Sequence, residues 1–410
     1  MENFNLLLEK YASLIAEVGL GVKQGHVVSI NSSVEQVELT RLVVQKCYQL
    51  GAKEVGVIWS DEIVAKELLL HADEDVLSTV TKTSLTLQDE LLEKKAARLS
   101  IVSSNPNSLK GVPSERINLF QTAQGKARRP LSAAIQSNQV SWSVVCAASP
   151  GWAKIVFPSL PEDEAVEALW DAIFKSTRIY DENPIQSWME HDQKLAKKAD
   201  FLNEQQFDRL HYTAPGCDIV FGMPENHHWE GAGSKNERGD SFMANMPTEE
   251  VFAAPDAKRV DGIIQSTRPL SYAGTIIDGM KFTFKDGKVV DFSAEKGEDV
   301  LRDLLNTDEG SQRLGEIALV PDPSPISQSG ITFFNTLFDE NASNHLAFGS
   351  AYAFSLEGGE SMSEEELKQG GLNRSNVHVD FMVGGPKMDI DGIKKDGTII
   401  PIFRNGDWAF

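Results

Sequence analysis

Two periods of apolar spacing run through the first part of the chain. Residues 3–18 place Leu6, Leu7, Tyr11, Leu14, Ile15 and Val18 at the spacing of one helical face. Residues 27–30 (Val-Val-Ser-Ile) read as a short strand, 37–50 as a helix stopped by Gly51, and 54–59 as the next strand. A helical stretch over 63–70, strands at 98–103 and 140–148, and a helix over 161–174 continue the alternation. Strands that alternate with helices predict a mostly parallel sheet covered on both faces. Such domains often hold nucleotides. Here, however, Gly19, Gly21 and Gly25 precede the first strand instead of following it, and no Gly-x-x-x-x-Gly-Lys-Ser/Thr run is present. These glycines read as turn residues.

The pattern changes after a linker at Asn183-Pro184 and a polar helix reaching Lys198. Residues 218–222 read as a strand. Residues 270–292 read as a hairpin or meander turning at Asp286-Gly287, a strong tight-turn signal. Helices are expected over 298–305 and 311–316, and a second tight turn at 395–398 joins two short strands. The predicted fold is an α/β N-terminal domain with a mostly parallel sheet, residues 1–185, and an α+β C-terminal domain rich in antiparallel strands, residues 186–410. A length of 410 residues agrees with two cores.

Composition narrows the function. With 60 acidic against 39 basic residues the net charge is −21, which disfavours nucleic acid as a partner. No long apolar span or signal segment is read, so no membrane partner is expected. Cys47, Cys146 and Cys217 are far apart and odd in number, as expected of reduced thiols in a cytoplasm.

The chemistry concentrates in the second half. Residues 376–382 (Asn-Val-His-Val-Asp-Phe-Met) alternate in polarity, so a strand there sends His378 and Asp380 to one face and Val377, Val379 and Phe381 to the other. An imidazole and a carboxylate on one face form half of a metal site, or else a solvated polar face. Glu249 and Glu250 lie between Pro247 and the apolar pair Val251-Phe252. They suit a helix first turn as well as a metal. Glu316 enters an apolar run, where a lone charge is costly unless paired with an arginine or an ion. Glu340 and His345 follow, readable as a surface acid and a core histidine. Together these are a cysteine-free set of carboxylates and imidazoles, which suits zinc, cobalt or manganese. More than four such ligands suggests two ions sharing a carboxylate, about 3.5–4 Å apart. His227 and His228 are a rival pair, but adjacent residues on a strand point opposite ways.

Four ordered segments carry a resemblance: Asn245-Met-Pro-Thr-Glu-Glu-Val-Phe252, Leu314-Gly-Glu-Ile-Ala-Leu319, His345-Leu-Ala-Phe-Gly-Ser-Ala-Tyr352 and His378-Val-Asp-Phe-Met382. They resemble the thermophilic aminopeptidase family of metallopeptidases, the group of aminopeptidase T, AmpS and PepS, and the likeness runs to the closing Asn405-Gly-Asp-Trp-Ala-Phe410. The resemblance implies a cytoplasmic, homodimeric exopeptidase with two divalent ions, acting on peptides with a free N-terminus. It implies ligands at Glu250, Glu316, His345, His378 and Asp380, with Glu340 added, and an active-site tyrosine at Tyr352.

On this reading an ion pair activates water, and a carboxylate accepts its proton; Glu249 is the candidate because it adjoins Glu250. The Tyr352 hydroxyl would donate to the oxyanion; its alternative is core packing beside Phe348 and Phe354. Two competing readings remain. One is a two-metal hydrolase of another amide or ester bond, although Arg268, Arg313 and Arg374 are too scattered for a phosphate cradle. The other is a non-catalytic binding protein stapled by an ion.

Overall fold

The computed structural model describes residues 3–410. The chain divides into two compact units. One takes the chain through His191 together with Gly233–Pro247; the other takes Asp192–Ala232 and Thr248–Phe410.

The first unit is built on a parallel sheet. Its five strands lie in the order Glu54–Ser60, Val27–Ser33, Ala97–Val102, Trp142–Cys146 and Asn245–Met246. The first four are those read from the sequence. The last comes from a segment far along the chain that local pattern alone assigns to the second half. The N-terminal helix, Phe4–Leu14, buries Leu7, Leu8, Tyr11, Ala12 and Leu14, while Leu6 stays 55% exposed. The helix then widens into a π turn over Ile15–Gly19, which rotates the face that follows. Its anchor is Tyr11, fully buried, whose hydroxyl donates to the Cys146 carbonyl at 2.9 Å.

A long helix, Ser114–Gln136, has no counterpart in the sequence reading. It buries only Ile117 and Ala134, and its middle, residues 121–130, has no large apolar side chain and holds Gly125 and Pro130, so the helical period is interrupted.

The second unit holds two large antiparallel sheets and a two-stranded one, Leu270–Tyr272 with Thr275–Ile277. The larger has eight strands in the order Lys288–Ser293, Lys281–Lys285, Val260–Gln265, Cys217–Gly222, Arg209–Ala214, Asp389–Ile393, Ile399–Arg404 and Asp407–Trp408. Asp286 and Gly287, with φ of 49° and 76°, close its first hairpin, as a two-residue turn with both central residues at positive φ requires. The smaller sheet has the order Val251–Ala253, Leu314–Leu319, His345–Gly349 and His378–Met382.

One expectation fails here. Residues 311–316 are not a helix. A single 3-10 turn, Gly310–Gln312, gives way to the strand Leu314–Leu319, every residue of which is buried. Short apolar runs fit either state, and the neighbours on both edges decide for the strand.

The smaller sheet has one apolar face. Phe381 lies opposite Leu346 and Val379 opposite Phe348. The rings of Phe348 and Phe381 stack at 4.6 Å, and Phe282 of the larger sheet meets each at 5.0 Å. Each such pair adds about 0.5–1.5 kcal/mol beyond burial. With this face closed by aromatic packing, every intervening side chain must point the other way. Among the described residues no helix is long and apolar enough to cross a membrane. All three cysteines are buried.

Candidate metal centre

The register of the smaller sheet collects its polar side chains on one face. His345, Ala347 and Gly349 stand opposite Met382, Asp380 and His378. Across the other edge Ala347 pairs with Glu316 and His345 with Ala318. A strand alternates faces, so Glu316, His345, His378 and Asp380 share the face that Phe348 and Phe381 do not occupy. A register shift between Leu314 and Glu316 brings Glu316 into phase. Glu250 directly precedes the edge strand Val251–Ala253, and Glu340 ends the helix Thr336–Glu340.

The side chains converge. His345 Nε2 is 2.9 Å from Glu250 Oε2 and 3.5 Å from Glu316 Oε1. His378 Nε2 is 3.5 Å from Glu316 Oε2 and 3.6 Å from Asp380 Oδ1. Three overlapping groups each have ligand atoms within 4.8 Å of one another: Glu250, Glu316 and His345; Glu316, His378 and Asp380; Glu340, His345 and Asp380. All six residues that the sequence reading nominated as ligands are in these groups. Glu340, readable as a surface acid, is only 7% exposed.

The histidines are oriented from behind. His345 Nδ1 faces the carbonyls of Glu340 and Ser343 at 2.9 and 3.1 Å, and His378 Nδ1 faces that of Ser350 at 2.8 Å. A carbonyl only accepts, so each Nδ1 carries the proton and each Nε2 of a neutral ring turns a lone pair toward the carboxylates. Two acceptors face each other there. Beside a neutral ring Glu250 Oε2, 2.9 Å from His345 Nε2, meets no donor, and it and Asp380 Oδ1 are both buried without a hydrogen-bond partner. No lysine or arginine pairs with the four carboxylates among the described residues.

The proton affinities reflect the same surplus of negative charge. Burial raises the Glu316 carboxyl above its usual range, opposed by His345 and His378 and assisted by Asp380 and Glu250. Burial, then the charges of Asp380 and Glu250, raise Glu340 far more. Burial opposes charging of His345, but contact with Glu250 and Glu316 outweighs it and raises the imidazole well above its ordinary value. His378 is raised too, the attraction of Asp380 and Glu316 overcoming burial. A divalent cation answers every part of this arrangement: it satisfies the orphaned oxygens, takes the lone pairs, and offsets the charge. The donors present therefore fit such an ion.

Tyr352 lies beside the cluster. Its ring stacks on Phe354 at 5.0 Å and meets the His378 ring edge-on at 5.2 Å. Phe252 closes the aromatic group at 6.0 Å from both Tyr352 and Phe354. Glu249 is buried and adjoins Glu250 but belongs to none of the three groups. The rival histidines lie apart. His227 is buried with Nδ1 against the Pro224 carbonyl, and His228 sits 3.2 Å from Glu230. Three asparagines that brace these segments were not singled out from sequence. Asn341 contacts the Glu249 amide, Asn344 accepts from the Val320 amide at 2.8 Å, and Asn373 donates to the Gly349 carbonyl at 2.6 Å. Their one legible signal is a short amide side chain beside buried apolar residues.

Four carboxylates and two imidazoles, without cysteine, gathered on and beside one face of an antiparallel sheet are the donor set of a metal-dependent enzyme. The chain belongs to the thermophilic metalloprotease (M29) family, whose model matches residues 4–408, and is by that membership a metalloaminopeptidase. It is 54% identical to aminopeptidase PepS of Streptococcus thermophilus over 100% of this chain and 99% of that protein. It is 53% identical to aminopeptidase AmpS of Bacillus subtilis (strain 168) over the whole of both. Among solved structures, wild-type AmpT from Thermus thermophilus superposes with a TM-score of 0.92 at 42% identity, covering 99% of this chain and 100% of that one.

Proposed function

We propose that this protein releases N-terminal residues from peptides at a pair of divalent cations held by Glu250, Glu316, Glu340, His345, His378 and Asp380. The observation that carries the reading is Glu316, which turns one oxygen toward His345 and the other toward His378. Glu316 would thus be the residue able to hold both ions. Glu250 and His345 form one group with it and His378 and Asp380 another, while Glu340 is grouped with His345 and Asp380. Zinc, cobalt and manganese all suit this donor set. When bound, such ions supply Lewis acidity for a peptide carbonyl and bring a water's pKa toward neutrality.

The chain's own groups would do the rest. Glu249 would accept the water's proton and return it to the departing amine, at a distance set by its neighbour Glu250. Tyr352 would donate its hydroxyl hydrogen to the oxygen on which negative charge develops. The resemblance also supports a homodimer in the cytoplasm, with the second half of the chain as the catalytic domain.

The test is an amino-acid p-nitroanilide offered free and N-acetylated. Cleavage of the free form alone supports an aminopeptidase. Equal turnover of both points to a hydrolase of another amide or ester bond, and turnover of neither to an ion-stapled binding protein.

A further inference from the structure

The helix Thr336–Glu340 is capped by Asn341, whose side chain has no solvent exposure. Its Oδ1 accepts the Glu249 amide hydrogen at 2.7 Å, a bond spanning 92 residues of sequence. Its Nδ2 donates to the Leu337 carbonyl at 2.9 Å and, more loosely, to Glu340 Oε1 at 3.4 Å. The partners fix which end of the amide is which, since an amide hydrogen needs an oxygen and a carbonyl needs an N–H.

We propose that Asn341 is a positioning residue for the metal centre, setting the spacing between Glu250 and Glu340 and the rotation of the Glu340 carboxylate. The proposal rests on the reading that these residues hold divalent ions. Glu250 sits between two restraints. On one side Val251 enters the ladder opposite Leu319. On the other, the Glu249 amide is held by Asn341. The same side chain restrains one Glu340 oxygen, and Glu340 offers a carboxylate oxygen to the group it forms with His345 and Asp380. Thus one neutral amide ties together the two carboxylates that arrive from outside the three long strands of the sheet.

No other side chain of this length does both jobs. Aspartate would keep the bond to the Glu249 amide but set an oxygen against the Leu337 carbonyl and the Glu340 carboxylate, adding charge where four carboxylates already gather. Serine is too short to reach both partners. Groups that orient metal ligands typically govern 10–100-fold in affinity.

The experiment is a cobalt(II) titration of the metal-stripped full chain, followed by the visible d–d absorption, for wild type, Asn341→Asp and Asn341→Ser. Thermal melting of each stripped protein reports the fold. The expected result is cooperative melting with a cobalt midpoint about 10–100-fold weaker and altered d–d bands. A lower melting temperature with wild-type midpoint and bands would mean that Asn341 serves packing alone, and would overturn the proposal. Either variant suffices if the other does not fold. Loss of the fold in both would assign the amide to the fold and also count against it. Should wild type itself bind no cobalt, the two-ion reading falls and this inference with it. Normal binding by wild type and both variants sinks only the role given to Asn341.

Discussion

At the scale of single residues, the deciding property of Tyr352 is that it keeps its proton. Burial first, then the charges of Glu316, Asp380, Glu340 and Glu250, push its hydroxyl well above the ordinary range. A neutral phenol beside the cluster is a donor and not a base. Tyr352→Phe removes one hydroxyl and leaves the ring's stacking on Phe354 in place. If the hydroxyl stabilises the oxyanion, kcat falls by roughly 10²–10³ with little change in KM. Metal content and melting temperature stay at wild-type values. Near-normal turnover of a metal-loaded variant would return Tyr352 to packing alone. Glu249→Gln should leave bound metal intact and lower kcat by about 10²–10⁴, the usual contribution of a positioned acid–base group. A loss of metal in parallel with activity would make Glu249 a ligand instead. Glu316→Ala should remove both ions together, measurable as metal per chain by atomic emission. Retention of one tightly held ion would show that Glu316 does not bridge.

At the scale of the element, the site depends on how closely the strands approach at the register shift. Gly349 has φ of 102°, and a Cβ there would lie 2.0 Å from the Val377 carbonyl oxygen. Its amide donates to Arg313 at 2.9 Å, and the Asn373 side chain clamps its carbonyl. A Cβ on Gly315 would meet the Gly349 carbonyl oxygen at 2.4 Å, so both glycines are needed for Glu316 and His378 to meet across the His345 strand. Gly349→Ala is therefore expected to lose at least about 1–3 kcal/mol from backbone strain, with more from the collision. Denaturant unfolding of the stripped protein measures this directly, and an unchanged midpoint would show that the junction yields freely.

At the scale of the whole molecule, metal and fold are linked. Ions that bind only the native state stabilise it by mass action, so stripping them should lower the melting temperature as well as abolish turnover. Zinc, cobalt or manganese should restore both. Full activity after exhaustive chelation, with no metal detectable, would end the two-ion mechanism. The chain is also expected to run as a dimer by light scattering at working concentration, and a monomer mass would contradict that.

Local spacing alone was enough for several features of this chain. The alternation at residues 376–382 places His378 and Asp380 on one face, and Asp286-Gly287 marks a turn. The first four parallel strands follow from short apolar runs set between helices. Four ordered motifs pointed to the family and to the residues nominated as ligands. Local spacing said nothing of which faces meet. That Glu316 belongs to a strand and not to a helix end was decided by neighbours on both edges, because a six-residue apolar run fits either state. The strand Asn245–Met246 joins the first unit through a pairing with Trp142–Cys146 that lies about a hundred residues away in sequence. The helix Ser114–Gln136 is not legible because the polar run 121–130, with Gly125 and Pro130, breaks its apolar period in the middle. Convergence of Glu250, Glu340 and Asn341 on one point is likewise a matter of register and helix placement. Those are fixed by contacts between segments far apart in the chain, and only the folded structure contains them.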